Sequence, residues 1–280
     1  MPNLQRKYVD LIQRAESKWA NWDPSRKQPV VGDYGSVNKD TGAFEWEGSI
    51  YSDEFAQHMP KLKEEKERYQ PVAGGRDELL IVKSTSVKQL ELSATPGVNI
   101  SALADASVKG SWQFNRGRGA VLVVNEPRIL ELPRNILLAD LTKIPLLKDQ
   151  YLVTQVVQCP AYAFYLSDKK GDQLSLALSA NVPVPFAPGV GASADAGGSW
   201  WSQSGSGVLK QGGQKGGTDE FTPLFTLKMI RKPFISFRRD SPPPIREGDD
   251  LWRNADEPWG PLDSDGEDDE IVIDDDIPDW

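Results

Sequence analysis

The sequence predicts an α+β fold: a twisted, mostly antiparallel sheet with long hairpins, an N-terminal amphipathic helix, some short helices and an acidic C-terminal tail. Three observations carry this. Residues 4–19 place apolar side chains at helical spacing, and several later runs alternate apolar and polar residues between Gly, Pro, Asn and Asp. Residues 240–280 hold 16 acids against only Arg246 and Arg253. At 280 residues the chain is long enough to bury a core.

The helix comes first. Leu4, Tyr8, Leu11, Ile12, Ala15 and Trp19 fall on one face, while Arg6, Lys7, Arg14 and Lys18 lie off that stripe. One face can therefore pack on a sheet while the four bases meet anionic headgroups, each basic residue near such a surface adding about 1 kcal/mol. Residues 29–55 read as a hairpin turning at Asn38–Gly42. Residues 56–70 are heavily charged and read as a surface loop with a short helix. A long strand is expected from Leu79 to Leu92, with a turn at Ala94–Gly97. Val98, Ile100, Ala102, Ala104, Ala106 and Val108 then alternate with mostly polar residues over 11 positions, which matches the 9–11 residues that cross a bilayer at a tilt. Residues 127–149 suggest short helical pieces. Tyr151–Val157 is β-branched and reads as a strand that continues past Cys159 to Tyr165. After a turn at Asp168–Asp172, Leu174, Leu176 and Leu178 alternate with polar or small residues; a further short run alternates over 190–196. Residues 197–219 are Gly/Ser-rich and read as a flexible loop, and Phe221–Ile230 as the last strand.

The net charge of −9 conceals a split: the tail carries −14, leaving 30 bases and 25 acids, or +5, in residues 1–239. Trp252, Trp259 and Trp280 lie in this tail, where a purely solvating segment has no use for indoles. They predict docking, with the tail as a mask over the body. The Pro-rich connection before it is open to proteases. Phe234 and Phe237 suit a subtilisin-like enzyme, Arg238 and Arg239 a basic-specific one, and Leu262–Asp265 a caspase-like one; Phe237 or Arg238 is favoured. The division is 1–232 as body, 233–245 as linker and 246–280 as autoinhibitory tail.

Other chemistries find little support. Only His58 could serve as a histidine base, and the single Cys159 excludes a thiolate cluster, so neither an enzyme nor a metal or other cofactor is expected. Gly213–Lys215 lacks the Ser/Thr of a phosphate-binding loop. A body of +5 without a recognisable motif argues against nucleic acid. No run of 18 apolar residues exists and the first residues lack the apolar core of a secretory signal, which predicts a cytoplasmic resting protein.

The element order resembles the pore-forming domain of gasdermins over residues 1–232. The features that carry it are the basic amphipathic helix, the small-residue strand at 98–108, the Leu-rich segment, Tyr151-Leu-Val-Thr-Gln-Val-Val-Gln158 and the second long hairpin. With a short tail in place of a large inhibitory domain, the layout is most similar to fungal gasdermin-like cell-death proteins. The resemblance implies an autoinhibited monomer, cut near its C-terminus by an activating protease. The body then binds anionic phospholipid at the plasma membrane, assembles a homo-oligomeric ring and refolds two segments into a β-barrel. The alternative is a soluble β-rich protein-interaction module whose strands never leave the sheet.

Overall fold

The structure, a computed structural model, describes residues 3–26, 28–90, 108–115, 118–133, 136–179, 191–193, 199–204, 206–213, 219, 221–230 and 251–259. It is a mixed α+β protein with mostly antiparallel sheets, as the sequence predicts.

Helix α1 (Leu4–Glu16) starts where the Asn3 side chain accepts the Gln5 N–H at 2.9 Å, and stops at Ser17, whose left-handed φ of 57° turns its N–H back onto Gln13 O. It leads into β1 (Trp19–Ala20), then the hairpin of β2 (Asp33–Val37) and β3 (Phe44–Ser49). Short helices α2 (Lys61–Glu64) and α3 (Lys66–Tyr69) precede β4 (Val72–Arg76), β5 (Leu79–Lys83) and β6 (Val87–Leu90). After them come β7 (Val108–Phe114), β8 (Gly119–Asn125), β9 (Arg128–Glu131), α4 (Ile136–Leu141), β10 (Tyr151–Cys159), β11 (Ala161–Ser167) and β12 (Gln173–Ser179). The last strands are β13 (Gly191–Ser193), β14 (Ser199–Ser204), β15 (Val208–Gly213), β16 (Phe221–Ile230) and β17 (Trp252–Asn254).

They form three sheets. The first runs β1-β16-β10-β2-β3, with β17 beside β16, and β9 and β4 following on from β10. The second is β15-β11-β8-β5 and the third β13-β14-β12-β7-β6. Even-numbered side chains of β8 and β11 (Leu122, Val124, Phe164) join the main core, where Tyr8 of α1 stacks on Phe164 at 4.1 Å. Odd-numbered ones (Val121, Val123, Ala163) meet Val108, Trp112, Leu174, Leu176 and Leu178 of the third sheet in a second core. The second sheet is thus buried on both faces, which explains why every residue of β8 and β11 is inaccessible.

Several expectations change. The strand foreseen from Leu79 to Leu92 breaks after Lys83, where Val87 N–H closes a turn on Ser84 O. The strand foreseen through Cys159 ends there, and β11 begins in a different sheet. Part of the helical stretch at 127–149 is β9, and the supposed flexible loop at 197–219 contains β14 and β15. In each case tertiary pairing overrides composition: a Gly/Ser-rich segment gains a strand's hydrogen bonds once a neighbour offers a ladder.

Candidate functional site: the docked tail and the folded-over hairpins

Two arrangements stand out: the tail on the body, and the stacking of the second and third sheets. In the first, β17 extends the first sheet by pairing Trp252 with Ile230, Arg253 with Met229 and Asn254 with Lys228. Trp252 is 2% exposed in the main core, and its indole N–H donates to Leu138 O at 2.8 Å. Ala255 N–H continues the contact to Leu227 O, and the chain reaches Trp259, which meets Trp19 edge-on at 5.6 Å. Gly42, at the tip of the β2–β3 hairpin with φ +70°, leaves room there: a Cβ would stand 3.2 Å from both the Trp259 ring and Val9.

Trp259 also touches the helix that the sequence marks as lipid-binding. Its indole N–H donates to Asp10 Oδ1 at 3.3 Å, while Asp10 Oδ2 pairs with Arg14 Nε at 3.0 Å. Asp10 is 1% exposed, so the tail and a cation of α1 share one buried carboxylate. Burial holds this carboxyl above the usual carboxylate range, with Arg14 and the Trp259 indole pulling part of the way back. The folded protein therefore retains the Asp10 proton to higher pH than the unfolded chain. Its contribution to stability falls as pH rises from about 3.8 through the higher folded value. Asp10→Asn keeps an acceptor for Trp259 and removes the buried charge. The expected outcome is a melting temperature equal to or above that of the parent at neutral pH, with a weaker acid-side pH dependence, read by calorimetry across pH 3.5–7.

The remaining predicted lipid contacts are placed unevenly. Lys7 is 2% exposed and points into the protein, Lys18 pairs with Glu16 at 2.6 Å, and Arg6 is half-buried. Of the expected apolar stripe, Leu4 is 45% exposed and Ala15 also faces solvent; the buried arc is Lys7 to Ile12. Four basic residues on an open helix face is therefore not the resting arrangement. The Tyr8 hydroxyl in that arc is fully buried without a hydrogen-bond partner among the described residues, and burial pushes its pKa up.

The second arrangement gathers the predicted membrane-inserting residues that are described. Leu178 lies opposite Val108, Leu176 opposite Gly110 and Leu174 opposite Trp112 across the β12–β7 ladder, and all three leucines and Val108 are buried. Val108, the described end of the first segment singled out in the sequence, and the second segment are neighbours in one sheet. Val98, Ile100, Ala102, Ala104 and Ala106 lie outside the described residues, as do Phe234, Phe237, Arg238, Arg239 and Trp280.

Four short connections join the second and third sheets: 84–86, 115–118, 168–172 and 205–207. Hydrogen bonds tie them into one row. Asn115 N–H reaches Ser86 O, Gly171 N–H reaches Phe114 O, and Phe114 N–H reaches Asp172 O. Tyr165 OH and Ser167 Oγ both donate to Asp172 Oδ2, at 2.5 and 3.0 Å, and Gly207 N–H donates to Tyr165 OH at 2.8 Å. Asp172 is 4% exposed, so this buried cluster fastens the reversal between β11 and β12. Sequence reasoning missed Asp10, Trp19 and Tyr165 as site members. Asp10 left a signal, an acid four residues before Arg14 within an apolar arc; Trp19 meets a partner far along the chain and left none, and Tyr165 reaches Asp172 seven residues on, across a turn whose geometry the sequence does not show.

Among the described residues no group of three His, Cys, Asp or Glu side chains is placed to hold a metal ion, and Cys159 is buried with its thiol pKa pushed up by desolvation. No family model matches the chain, and no curated protein matches it.

Proposed function

We propose that the chain is a gasdermin-like, tail-masked pore-forming protein, activated by proteolysis before β17, which binds anionic lipid, oligomerises and inserts a β-barrel to cause regulated cell death. One observation carries the reading. Four strands of the third sheet repeat the neighbour order of the second, β5-β8-β11-β15 against β6-β7-β12-β14, each folded over onto its own continuation, with β13 added outside β14. Opening the four connections converts two stacked sheets into one four-stranded sheet without exchanging any neighbour. A continuous strand over residues 108–125 is about 60 Å long at 3.3 Å per residue.

The side-chain pattern agrees for the two central strands. Val108, Trp112, Phe114, Ala120, Leu122 and Val124 are all even-numbered, as are Tyr162, Phe164, Leu166, Leu174, Leu176 and Leu178. They occupy two cores now only because the chain reverses between them. Straightened, they fall on one side of the sheet, and the third-sheet set, Val108, Trp112, Phe114, Leu174, Leu176 and Leu178, forms an apolar face suited to lipid. The polar connection Asp168–Asp172 falls at the water boundary, and the Tyr165–Asp172 bond has to part. Because unpaired backbone is prohibitive in hydrocarbon, such a sheet inserts only where neighbouring subunits close it into a barrel.

The test is dye release from anionic vesicles by the full chain and by the chain cut once between Ile230 and Leu251. Release that rises steeply after the cut supports the proposal. Dye retention by both forms favours the soluble interaction module.

A further inference from the structure

On the outer edge of the first sheet, β3 presents Phe44 and Trp46 two residues apart on one side of the strand. With Gln28, Pro29, Asp33 and Glu45 they line a cleft of about 490 Å³, within the range of small-molecule sites. Trp46 is 63% exposed, an unusual place for an indole. It is nonetheless fixed in position: its N–H donates to the Asp33 carboxylate, which is 8% exposed and also accepts from Ser49 and from Val30 N–H at 2.9 Å. A ring pinned by its edge while its face stays accessible is preorganised for stacking.

Charge and polarity narrow the ligand. Among the described residues the lining carries two carboxylates and no base, and Glu47 follows on the same strand. A sugar would need many free hydrogen-bonding groups, whereas Asp33 is already engaged by three donors and Glu45 Oε1 accepts the Asn38 amide at 2.8 Å. What remains is aromatic and prolyl surface in a negative field, the environment that suits a cation wrapped in methyl groups. We propose that this cleft binds an organic ammonium of the choline type, its methylated nitrogen over the Trp46 ring and its charge facing Glu45 and Asp33. The inference stands apart from pore formation. Choline chemistry occurs free in solution and on zwitterionic lipid headgroups.

Titration calorimetry of the full chain with choline chloride tests it, alongside the uncharged isostere 3,3-dimethylbutan-1-ol. Choline is expected to saturate a single site, with the neutral isostere at least about fivefold weaker, in line with the strength of a cation–π contact. Trp46→Ala abolishes binding, while Glu45→Gln weakens it and leaves the shape of the cleft in place; unchanged melting curves show that both variants fold. Phosphatidylcholine vesicles that compete with choline identify the lipid headgroup as the source, and vesicles that do not compete identify a soluble cation; both outcomes support the ammonium site. Equal affinity for the isostere, no saturation with choline, or unaltered binding by Trp46→Ala overturns it.

Discussion

Trp252→Ala is expected to free the tail without any proteolysis. Its indole fills a slot in the main core at 2% exposure and satisfies Leu138 O, and β17 contributes only three ladder residues besides. Truncating a buried Trp costs about 3–5 kcal/mol. That exceeds what three edge-strand pairs can hold, while β16 keeps its partners β10 and β1. Amide exchange at residues 252–254 should accelerate by about two to three and a half orders of magnitude, at 1.4 kcal/mol per decade, while β10 amides stay protected. The uncut variant should also release dye from anionic vesicles. Trp252→Phe, which loses the N–H but keeps most of the ring, should fall between. Exchange rates indistinguishable from the parent would remove Trp252 from the role of anchor.

The second large effect is at Leu176. It is fully buried in the second core, opposite Gly110. Leu176→Asp places an unpaired carboxylate there, costing several kcal/mol, and lowers the melting temperature by roughly 10 °C or more for a chain of this size. In the proposed barrel the same position would face hydrocarbon, where a charge again costs kcal/mol in every subunit, so dye release by the cut protein should vanish even at temperatures where the variant remains folded. Lys109→Glu is the matched control. Lys109 is exposed one position along β7, on the opposite face, and pairs with Ala177. Its melting temperature and dye release should stay close to the parent's. Loss of release in both variants would mean that the faces do not separate lipid from water.

These two positions also show what can be read from sequence here. The period of two that marks Leu174, Leu176 and Leu178 is local, so these residues were visible as one face of a strand. The reversals are less visible: Ser84-Thr85-Ser86 carries neither Gly nor Pro, and β-forming residues resume directly after Cys159-Pro160. Strand-forming composition continues whether a chain goes straight or turns into another sheet, and for that reason a single strand was expected where two exist. The β2–β3 hairpin was legible because Asn38 and Gly42 fix its turn by local chemistry: the Asn38 side chain accepts the N–H groups of Asp40 and Thr41. The tail's tryptophans were conspicuous among acids, but their partners, Leu138 O, Trp19 and Asp10, lie more than a hundred residues away and leave no mark near them. The burial of Lys7 likewise depends on which arc of α1 meets the sheet, and a 13-residue helix with apolar residues on two sides fits more than one rotation.

The pairing of β17 with β16 has a consequence for timing. Cleavage before Leu251 breaks the covalent chain but none of the contacts that hold Trp252, Ala255 and Trp259. The cut tail stays in place as a bound peptide until it dissociates, and at low protein concentration it then has little chance to return. On the proposed activation by proteolysis, the cut would start a clock whose period is the peptide's residence time. A cell in which a few molecules are nicked by accident would keep those molecules silent for that interval, while sustained cleavage would outlast it.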